Sequence, residues 1–225
     1  ASVASAGNDL RLGADEAPPA IMSVYLGDQL GAMVDCIVKG KSYVATGTLE
    51  SSIGVPESPI FPKDATDRNR TSPFAFTGNK FEFRSLGSQM NASEANICLN
   101  TIVADAFGAF ADELEGKADI EKAADAIIAR EFKQHYRIIY NLDGYGPEWV
   151  AEAKKRGLLN NKTTADAVAV CYDESNIGVY VRQKVFTREE AIARADIRLE
   201  NYAKVINIEA LTMIEMARRE IIPAV

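Results

Sequence analysis

Residues 78–84 read GNKFEFR, and this short stretch decides how the first half of the chain is interpreted. In an extended chain, successive side chains point to opposite faces, so the two phenylalanines face one way. Lys80, Glu82 and Arg84 face the other way. The stretch therefore predicts a strand with an aromatic face packed behind it and a charged face turned towards solvent or a ligand.

Two further stretches of the same half concentrate polar residues: NDLRLGADEAPPA at 8–20 and TDRNRTSPFAFTG at 66–78. The planar donor fork of arginine matches carboxylate and phosphate oxygens, so arginines near a few carboxylates suit an anionic substrate and a divalent metal ion. Phosphoryl transfer uses this mixture, because cations offset phosphate charge and acidic oxygens hold the metal. The candidate residues are Arg11, Asp15, Glu16, Arg68, Arg70, Lys80, Glu82 and Arg84.

Each stretch alone also has a plainer interpretation. A Lys-x-Glu-x-Arg strand face is often a solvated ladder of self-paired charges. The RNR at 68–70 is typical of a surface, where Arg68 can pair with Asp64 or Asp67, and the ADEAPP at 14–19 is typical of an acidic turn. No GxxxxGK[ST] motif occurs, which excludes a P-loop.

The composition is that of a globular protein able to bury one or two cores: 225 residues, 47% hydrophobic and 25% charged. The net charge of −7 argues against nucleic-acid binding, which needs a basic face. No apolar run approaches the roughly 20 residues of a membrane span, and the start lacks the features of a signal peptide. We therefore expect a cytoplasmic protein without a nucleic-acid or membrane partner.

The start of the chain favours a segment of a longer polypeptide. The first residue is not Met, and a dense polar motif follows at once without a predicted strand or helix to support it. The cysteines, Cys36, Cys98 and Cys171, are odd in number and lie among apolar neighbours, which favours buried thiols over disulfides or a zinc cluster.

The spacing of apolar residues predicts strands and loops up to about residue 90 and helices after it. The expected caps are Ser93 and Asp119 at two helix starts, Pro147 in the first turn of a third helix, and a Thr187–Glu190 capping box at the fourth. Pro223 is expected to end the last helix. The predicted helices cover 93–116, 119–139, 146–157 and 187–222, with a loop at 158–186.

The apolar stripes of these helices predict core or subunit contacts rather than chemistry. Phe107 is placed on the apolar face of its helix, and Trp149 is predicted to anchor its own short helix. His135 lies outside every polar motif, so we expect it to be a partly exposed helix residue and not a ligand.

Taken in order, the polar motifs resemble the C-terminal part of the glutamine synthetase catalytic domain, in particular the type III class. The resemblance rests on NDLRLGADEAPPAI at 8–21 and RNRTSPFAFTGNKFEFR at 68–84. It continues through RGLLNNKTTADA at 156–167 and ENYAKVINIEALTMIEMARREIIPAV at 200–225, and thus covers essentially the whole chain.

The resemblance implies an α+β fold in which antiparallel strands line an active-site funnel and helices back them. Residues 1–116 would be the C-terminal part of the catalytic domain, and 117–225 a helical region for packing and oligomer contacts. The implied reaction is ATP-dependent ligation of ammonia to glutamate through γ-glutamyl phosphate. It uses Mg²⁺ or Mn²⁺, has ATP, glutamate and ammonium as substrates, and takes place in a large ring-based homo-oligomer.

The resemblance also assigns roles to the charged face of the strand. Glu82 matches a ligand of a divalent metal ion. Arg84 matches an arginine that binds glutamate or the transferred phosphoryl group. Lys80 occupies the place of a residue near the nucleotide phosphates.

Three further roles are implied upstream. Arg11 matches the arginine that holds a glutamate carboxylate, and Arg70 matches the arginine that stabilises the phosphoryl group. Glu16 matches a flap glutamate that closes over the intermediate and helps to bind or deprotonate ammonium. Gly13 before the flap suits a hinge, and the prolines after it suit a rigid exit.

Two alternatives stay open. The first is a non-catalytic relative or scaffold fragment of the same fold, suggested by Leu10, where the family pattern has His, and by the family's upstream metal ligands, which do not occur in this chain. The second is another enzyme on this catalytic fold, such as a guanidino kinase or a glutamate–cysteine ligase. As given, the chain would carry about half of the active site that the resemblance implies.

Overall fold

The structure is a computed structural model that describes residues 1–43, 50–51, 61–62 and 72–225. The chain forms two compact units, each built from separated segments. The first unit contains residues 1–17, 85–113 and 161–225, and the second contains residues 18–84 and 114–160. Helices predominate among the described residues and a small sheet is present, so the expected α+β class is confirmed. The division after residue 116 stays a prediction.

The regular elements follow one another along the chain. The strands are β1 (Val24–Tyr25), β2 (Glu50–Ser51), β3 (Phe61–Pro62), β4 (Phe74–Phe76) and β5 (Phe81–Phe83). The helices are α1 (Ala6–Arg11), α2 (Gly27–Val38), α3 (Ser93–Leu114), α4 (Ile120–His135), α5 (Pro147–Lys155), α6 (Thr164–Ala169), α7 (Glu174–Arg182) and α8 (Arg188–Met216). Short 3₁₀ turns cover Tyr136–Ile138 and Val170–Tyr172, and a π-turn (Ala217–Ile221) leads into a final helical turn (Ile222–Ala224).

The sheet of the second unit has the order β1-β4-β5. β1 runs parallel to β4, and β4 runs antiparallel to β5 with Ala75 opposite Glu82. β2 pairs with β3 in a separate antiparallel ladder. Thr77 closes the turn between β4 and β5, because its N–H donates to the carbonyl oxygen of Lys80 at 2.8 Å. Gly78 fits that turn with a φ of 93°, a conformation that glycine adopts without steric cost.

The core of the second unit is built around Trp149, as the sequence predicts. Its side chain is 1% exposed and stacks on Tyr140, with ring centroids 3.9 Å apart. The guanidinium of Arg156 lies over both rings and donates to the carbonyl oxygen of Ile139 at 2.9 Å. Ile21 packs in the same cluster. Stacking, burial and the two cation–π contacts together stabilise this cluster.

The helix starts follow the predicted caps in most cases. Asp119 accepts a hydrogen bond from the N–H of Lys122 at 3.0 Å, and Thr187 and Glu190 form the complete capping box. Pro147 occupies the first turn of α5. Ser93 is different: it is the first residue of α3, and its N–H donates to the side chain of Asn91 at 2.8 Å. An Asn side chain two residues upstream satisfies this group as well as a cap would.

Three predictions of secondary structure were wrong. The loop expected at 158–186 contains α6 and α7, which begin after the capping side chains of Thr163 and Asp173. The strand-and-loop half contains α1 and α2, and the helical conformation continues through Pro223. The π-turn ends at Ile221, and Pro223 lies in the first turn of the short helix that follows. Proline is tolerated in a first turn because the N–H that it lacks is not needed there.

In the first unit, α8 packs against α6 and α7 near its N-terminus, where Ala195 is buried. Glu94 at the start of α3 accepts hydrogen bonds from Arg194 and Arg198 of α8. The second half of α8 is exposed. Phe107 is also 67% exposed, so of the two expected roles of its stripe, core or subunit contact, it does not fill the first. Periodicity identifies the residues that share a helix face but not what covers that face.

Candidate functional site

The charged face of β5 forms as its alternation predicts. Glu82 accepts a hydrogen bond from the guanidinium of Arg84 at 3.2 Å, and the ammonium of Lys80 lies 3.9 Å from its other carboxylate oxygen. The side chains of Glu82 and Arg84 are each 27% exposed, whereas that of Lys80 is 62% exposed. Two cations thus flank one carboxylate on a half-buried surface. This arrangement can bind an anion through the donors that Glu82 leaves available on Arg84 and Lys80.

The aromatic face of β5 lies against β4. Phe81 stacks on Phe74 with ring centroids 5.0 Å apart, and Phe83 meets the edge of Phe74 at 6.4 Å. Phe81 remains 46% exposed, so the packing predicted behind the strand is only partial. Cross-strand aromatic contacts of this kind fix the register of β5 and hold its charged residues on one face.

Arg11 lies at the end of α1 in the first unit and is held by neutral oxygens. Its Nε donates to Oδ1 of Asn8 at 3.0 Å, and one terminal nitrogen donates to the carbonyl oxygen of Ser85 at 2.9 Å. The amide nitrogen of Asn8 donates to the same carbonyl oxygen at 3.1 Å. We call this closed set of three groups the Arg11 clamp. It orients the guanidinium without cancelling its charge.

Gly87 lies close beside the Arg11 clamp. A Cβ atom at Gly87 would lie 3.0 Å from Oδ1 of Asn8 and 3.9 Å from Nε of Arg11. The first distance is tighter than ordinary van der Waals contact. A side chain at residue 87 would therefore require Asn8 to move by a few tenths of an ångström.

Glu16 lies on an exposed loop that begins directly after α1. The loop is closed at its base by a bridge between Leu12 and Ala17, where the N–H of Gly13 donates to the carbonyl oxygen of Ala17 at 3.1 Å. Gly13 has a φ of 82°, in the left-handed region that favours glycine. Asp15 is exposed on the same loop.

The predicted site residues are distributed over both units. Glu82 on β5 and the residues that flank the strand, Lys80 and Arg84, come together in the second unit. Arg11 and Glu16 belong to the first unit. Arg68 and Arg70 lie outside the described residues, as do the possible partners of Arg68 at 64 and 67. His135 is exposed at the end of α4, with Nε2 3.3 Å from Glu131, which confirms the partly exposed helix position expected for it.

Sequence reasoning missed Asn8, which is 2% exposed and central to the Arg11 clamp. A signal was available, because residues three apart on a helix share a face and Asn8 precedes Arg11 by three. This spacing has a meaning only on a helix, and the sequence pattern did not predict α1. The partner of both residues, the carbonyl oxygen of Ser85, leaves no signal in the sequence.

The described residues do not form a complete metal site. Among them, no group of three or more His, Cys, Asp or Glu side chains is placed to hold a metal ion. Mg²⁺ and Mn²⁺ prefer about six oxygen ligands, and the strand offers the single carboxylate of Glu82 between two cations. Any metal at β5 would need most of its ligands from elsewhere.

The three cysteines are free, and they are partly buried, whereas the sequence predicted buried thiols.

Among the described residues, no helix is long and apolar enough to cross a membrane.

Comparison with known proteins gives relatives along the whole chain. Residues 123–225 match a family model described as the glutamine synthetase C-terminal domain. The chain is 41% identical to the type-3 glutamine synthetase of Dictyostelium discoideum, over 100% of the chain and 31% of that protein. It is 41% identical to a glutamine synthetase of Butyrivibrio fibrisolvens (98% of the chain, 31% of that protein) and 37% identical to one of Bacteroides fragilis (99% and 32%). It spans about a third of the length of these relatives.

Proposed function

We infer, since this chain belongs to the glutamine synthetase family, that it is part of an enzyme that ligates ammonia to glutamate at the expense of ATP. The observation that carries this proposal is the similarity to glutamine synthetases over 98% or more of the chain. The charged face of β5 supports it, because it offers the cations that an anionic substrate requires.

The proposed reaction has two steps. The γ-carboxylate of glutamate attacks the terminal phosphorus of ATP to give γ-glutamyl phosphate and ADP, and ammonia then displaces phosphate to give glutamine. Both partners of the first step are anions, so cations must offset their repulsion. Arg84 is proposed to bind glutamate or the transferred phosphoryl group, and Lys80 the nucleotide phosphates. Arg70, outside the described residues, is proposed to stabilise the phosphoryl group.

Glu82 is proposed as one ligand of a divalent ion whose other ligands lie outside the described residues. A bound Mg²⁺ or Mn²⁺ would offset phosphate charge. The hydrogen bond from Arg84 holds the carboxylate of Glu82 in place, as a metal ligand requires. In the proposed enzyme, β5 lines the active-site funnel.

Arg11 and Glu16 are proposed to act on the amino-acid side of the reaction. The hydrogen bonds of the Arg11 clamp end on neutral oxygens, so the guanidinium keeps the charge that a glutamate carboxylate would pair with. Glu16 is proposed to close over the intermediate and to bind or deprotonate ammonium. Its place on an exposed loop with a left-handed Gly13 at the base supports a movable flap.

The test uses the full-length protein that carries this chain. We expect ATP-, glutamate- and ammonium-dependent release of phosphate, and a loss of at least about 100-fold in kcat/KM for Glu82→Gln, because one electrostatic group of the site is neutralised. The matched control is Asp35→Asn, which removes the carboxylate of an exposed ion pair with Lys39 in the same unit. We expect the control to stay within about twofold of the unchanged enzyme.

Two results would contradict the proposal in different ways. Full activity and an unchanged Mn²⁺ dependence in Glu82→Gln would mean that β5 is not part of the site. A full-length protein that folds and binds ATP but makes no glutamine would favour the non-catalytic scaffold.

Assembly into a large homo-oligomer is part of the proposal. The exposed second half of α8 supports it, because Ile208, Leu211 and Met213 are each about 60% exposed and large apolar patches mark contact surfaces. Light scattering on the full-length protein tests this directly, since a monomeric mass would contradict it.

A further inference from the structure

α1 carries Arg11 but is too short to hold its own orientation. It has six residues, and isolated helices below about 12 residues are marginal in water. Its direction must therefore be set by what it packs against. Two sets of contacts hold it within the first unit. They are made by two neighbouring residues of α1, Asn8 and Asp9.

The first set is the Arg11 clamp, through Asn8. The second set starts at Asp9, whose Oδ1 accepts a hydrogen bond from the hydroxyl of Thr164 at 2.7 Å. Thr164 is the first residue of α6 and is 1% exposed. Consecutive helix residues point in different directions, so the two sets restrain α1 on two sides.

Tyr202 of α8 completes the second set. Its phenol lies close enough to Asp9 for the charge of that carboxylate, the main cause, to raise the pKa of Tyr202, and α8 contacts α1 in this unit. The carboxylate of Asp9 thus joins α1 to α6 through a hydrogen bond and also lies near Tyr202 of α8. Its partners are neutral hydroxyls, which leave the positive charge of Arg11 for a ligand.

We propose that Asp9, Thr164 and Tyr202 are positioning residues that set the orientation of Arg11 towards glutamate, so that the helical region takes part in substrate binding without touching the substrate. We call these three residues the Asp9 tie. The proposal rests on the proposed function of Arg11. It assigns a role to a region in which the sequence indicated only packing and oligomer contacts.

The test compares isosteric variants of the full-length protein. Thr164→Val keeps the volume of the buried side chain and removes its donor. We expect the KM for glutamate to rise about 3- to 10-fold, with the KM for ATP unchanged, since loss of one hydrogen bond to a charged group displaces Arg11 only in part. Thr164→Ser, which keeps the hydroxyl, should restore most of the affinity.

The matched control is Tyr172→Phe. It removes a phenol–carboxylate hydrogen bond of 2.6 Å to Asp196 in the same unit, with no link to α1. We expect its KM for glutamate to equal that of the unchanged enzyme. An equal rise in both variants, or no rise in Thr164→Val, would overturn the proposal.

A readout independent of catalysis separates this proposal from the proposed function. In Thr164→Val, the amides of residues 6–11 should exchange hydrogen faster, whereas in Tyr172→Phe they should not. If the unchanged protein makes no glutamine, the proposed function fails but exchange still decides whether the Asp9 tie holds α1. Unchanged exchange would overturn the tie, and faster exchange with an unchanged KM in an active enzyme would overturn its link to Arg11.

Discussion

Two arginines with proposed substrate roles are held in opposite ways. Arg84 on β5 is paired with the carboxylate of Glu82, at 27% exposure of both side chains. Arg11 at the end of α1 is held by the side-chain oxygen of Asn8 and a backbone carbonyl oxygen. The carboxylate of Glu82 offsets part of the charge of Arg84, whereas the oxygens around Arg11 orient its guanidinium without offsetting its charge.

The difference shows that a protein can orient a guanidinium with or without offsetting its positive charge. An ion pair orients a side chain, but the partner's charge offsets part of the charge that a ligand would meet. The attraction within the pair is also screened by salt. A neutral buried acceptor holds the side chain and preserves its charge, but it requires close packing around a satisfied polar group. We therefore expect the Arg11 clamp to be sensitive to small steric changes and the β5 pair to be tolerant of them.

The largest effect is expected for Asn8→Ala. This change leaves buried partners of Asn8 unsatisfied, so we expect the free energy of unfolding to fall by about 2–3 kcal/mol. Urea unfolding of the full-length protein, followed by a probe in the first unit, measures this. The control is Asn91→Ala, which loses one exposed hydrogen bond to the N–H of Ser93 and should cost about 0.5–1 kcal/mol. Equal losses would mean that burial of the clamp contributes nothing.

An intermediate effect is expected for Gly87→Ala. The new Cβ would press on Oδ1 of Asn8 at 3.0 Å, and we expect a loss of about 1–2 kcal/mol from overpacking. Gly108→Ala is the control, since a Cβ there meets nothing within 4 Å inside α3. This control should stabilise the protein by about 0.5–1 kcal/mol, because alanine favours a helix. Thermal unfolding distinguishes the two, and a stabilising Gly87→Ala would contradict the close approach.

The smallest effect is expected for the β5 pair. A double-mutant cycle with Glu82→Gln and Arg84→Gln should give a coupling below about 1 kcal/mol, as for other partly exposed pairs. Raising the salt concentration from 0.1 to 1 M, about tenfold, should reduce this coupling further, because the screening length shortens. A salt-independent coupling of several kcal/mol would show instead that the pair is fully desolvated, and the contrast with the Arg11 clamp would fail.

Much of the second unit could be predicted from the sequence. Alternation places Lys80, Glu82 and Arg84 on one face of β5, and the side chain of Trp149 is too large and apolar to stay exposed. Local signals also locate helix starts in both units, with Asp119 in the second unit and the Thr187–Glu190 box in the first. These signals work because each depends on groups only a few residues apart.

The rest could not be predicted, because it depends on contacts across long sequence separations. Short helices such as α1 and α6 have too few residues to show a periodic pattern, and they form because tertiary contacts hold them. The exposure of Phe107 likewise depends on what lies against α3. No local pattern encodes either fact.

By itself, the sequence determined the family of this protein and the residue types that its chemistry can use. A charged strand face and long motif strings are local properties of the chain, so they can be read before it folds. Only the tertiary structure decided which of these residues are oriented and by what. The carbonyl oxygen of Ser85 reaches Arg11 across 74 positions, and the hydroxyl of Thr164 reaches Asp9 across 155. Such contacts arise only when packing brings distant segments together, because a hydrogen bond acts over about 3 Å whatever the separation in sequence.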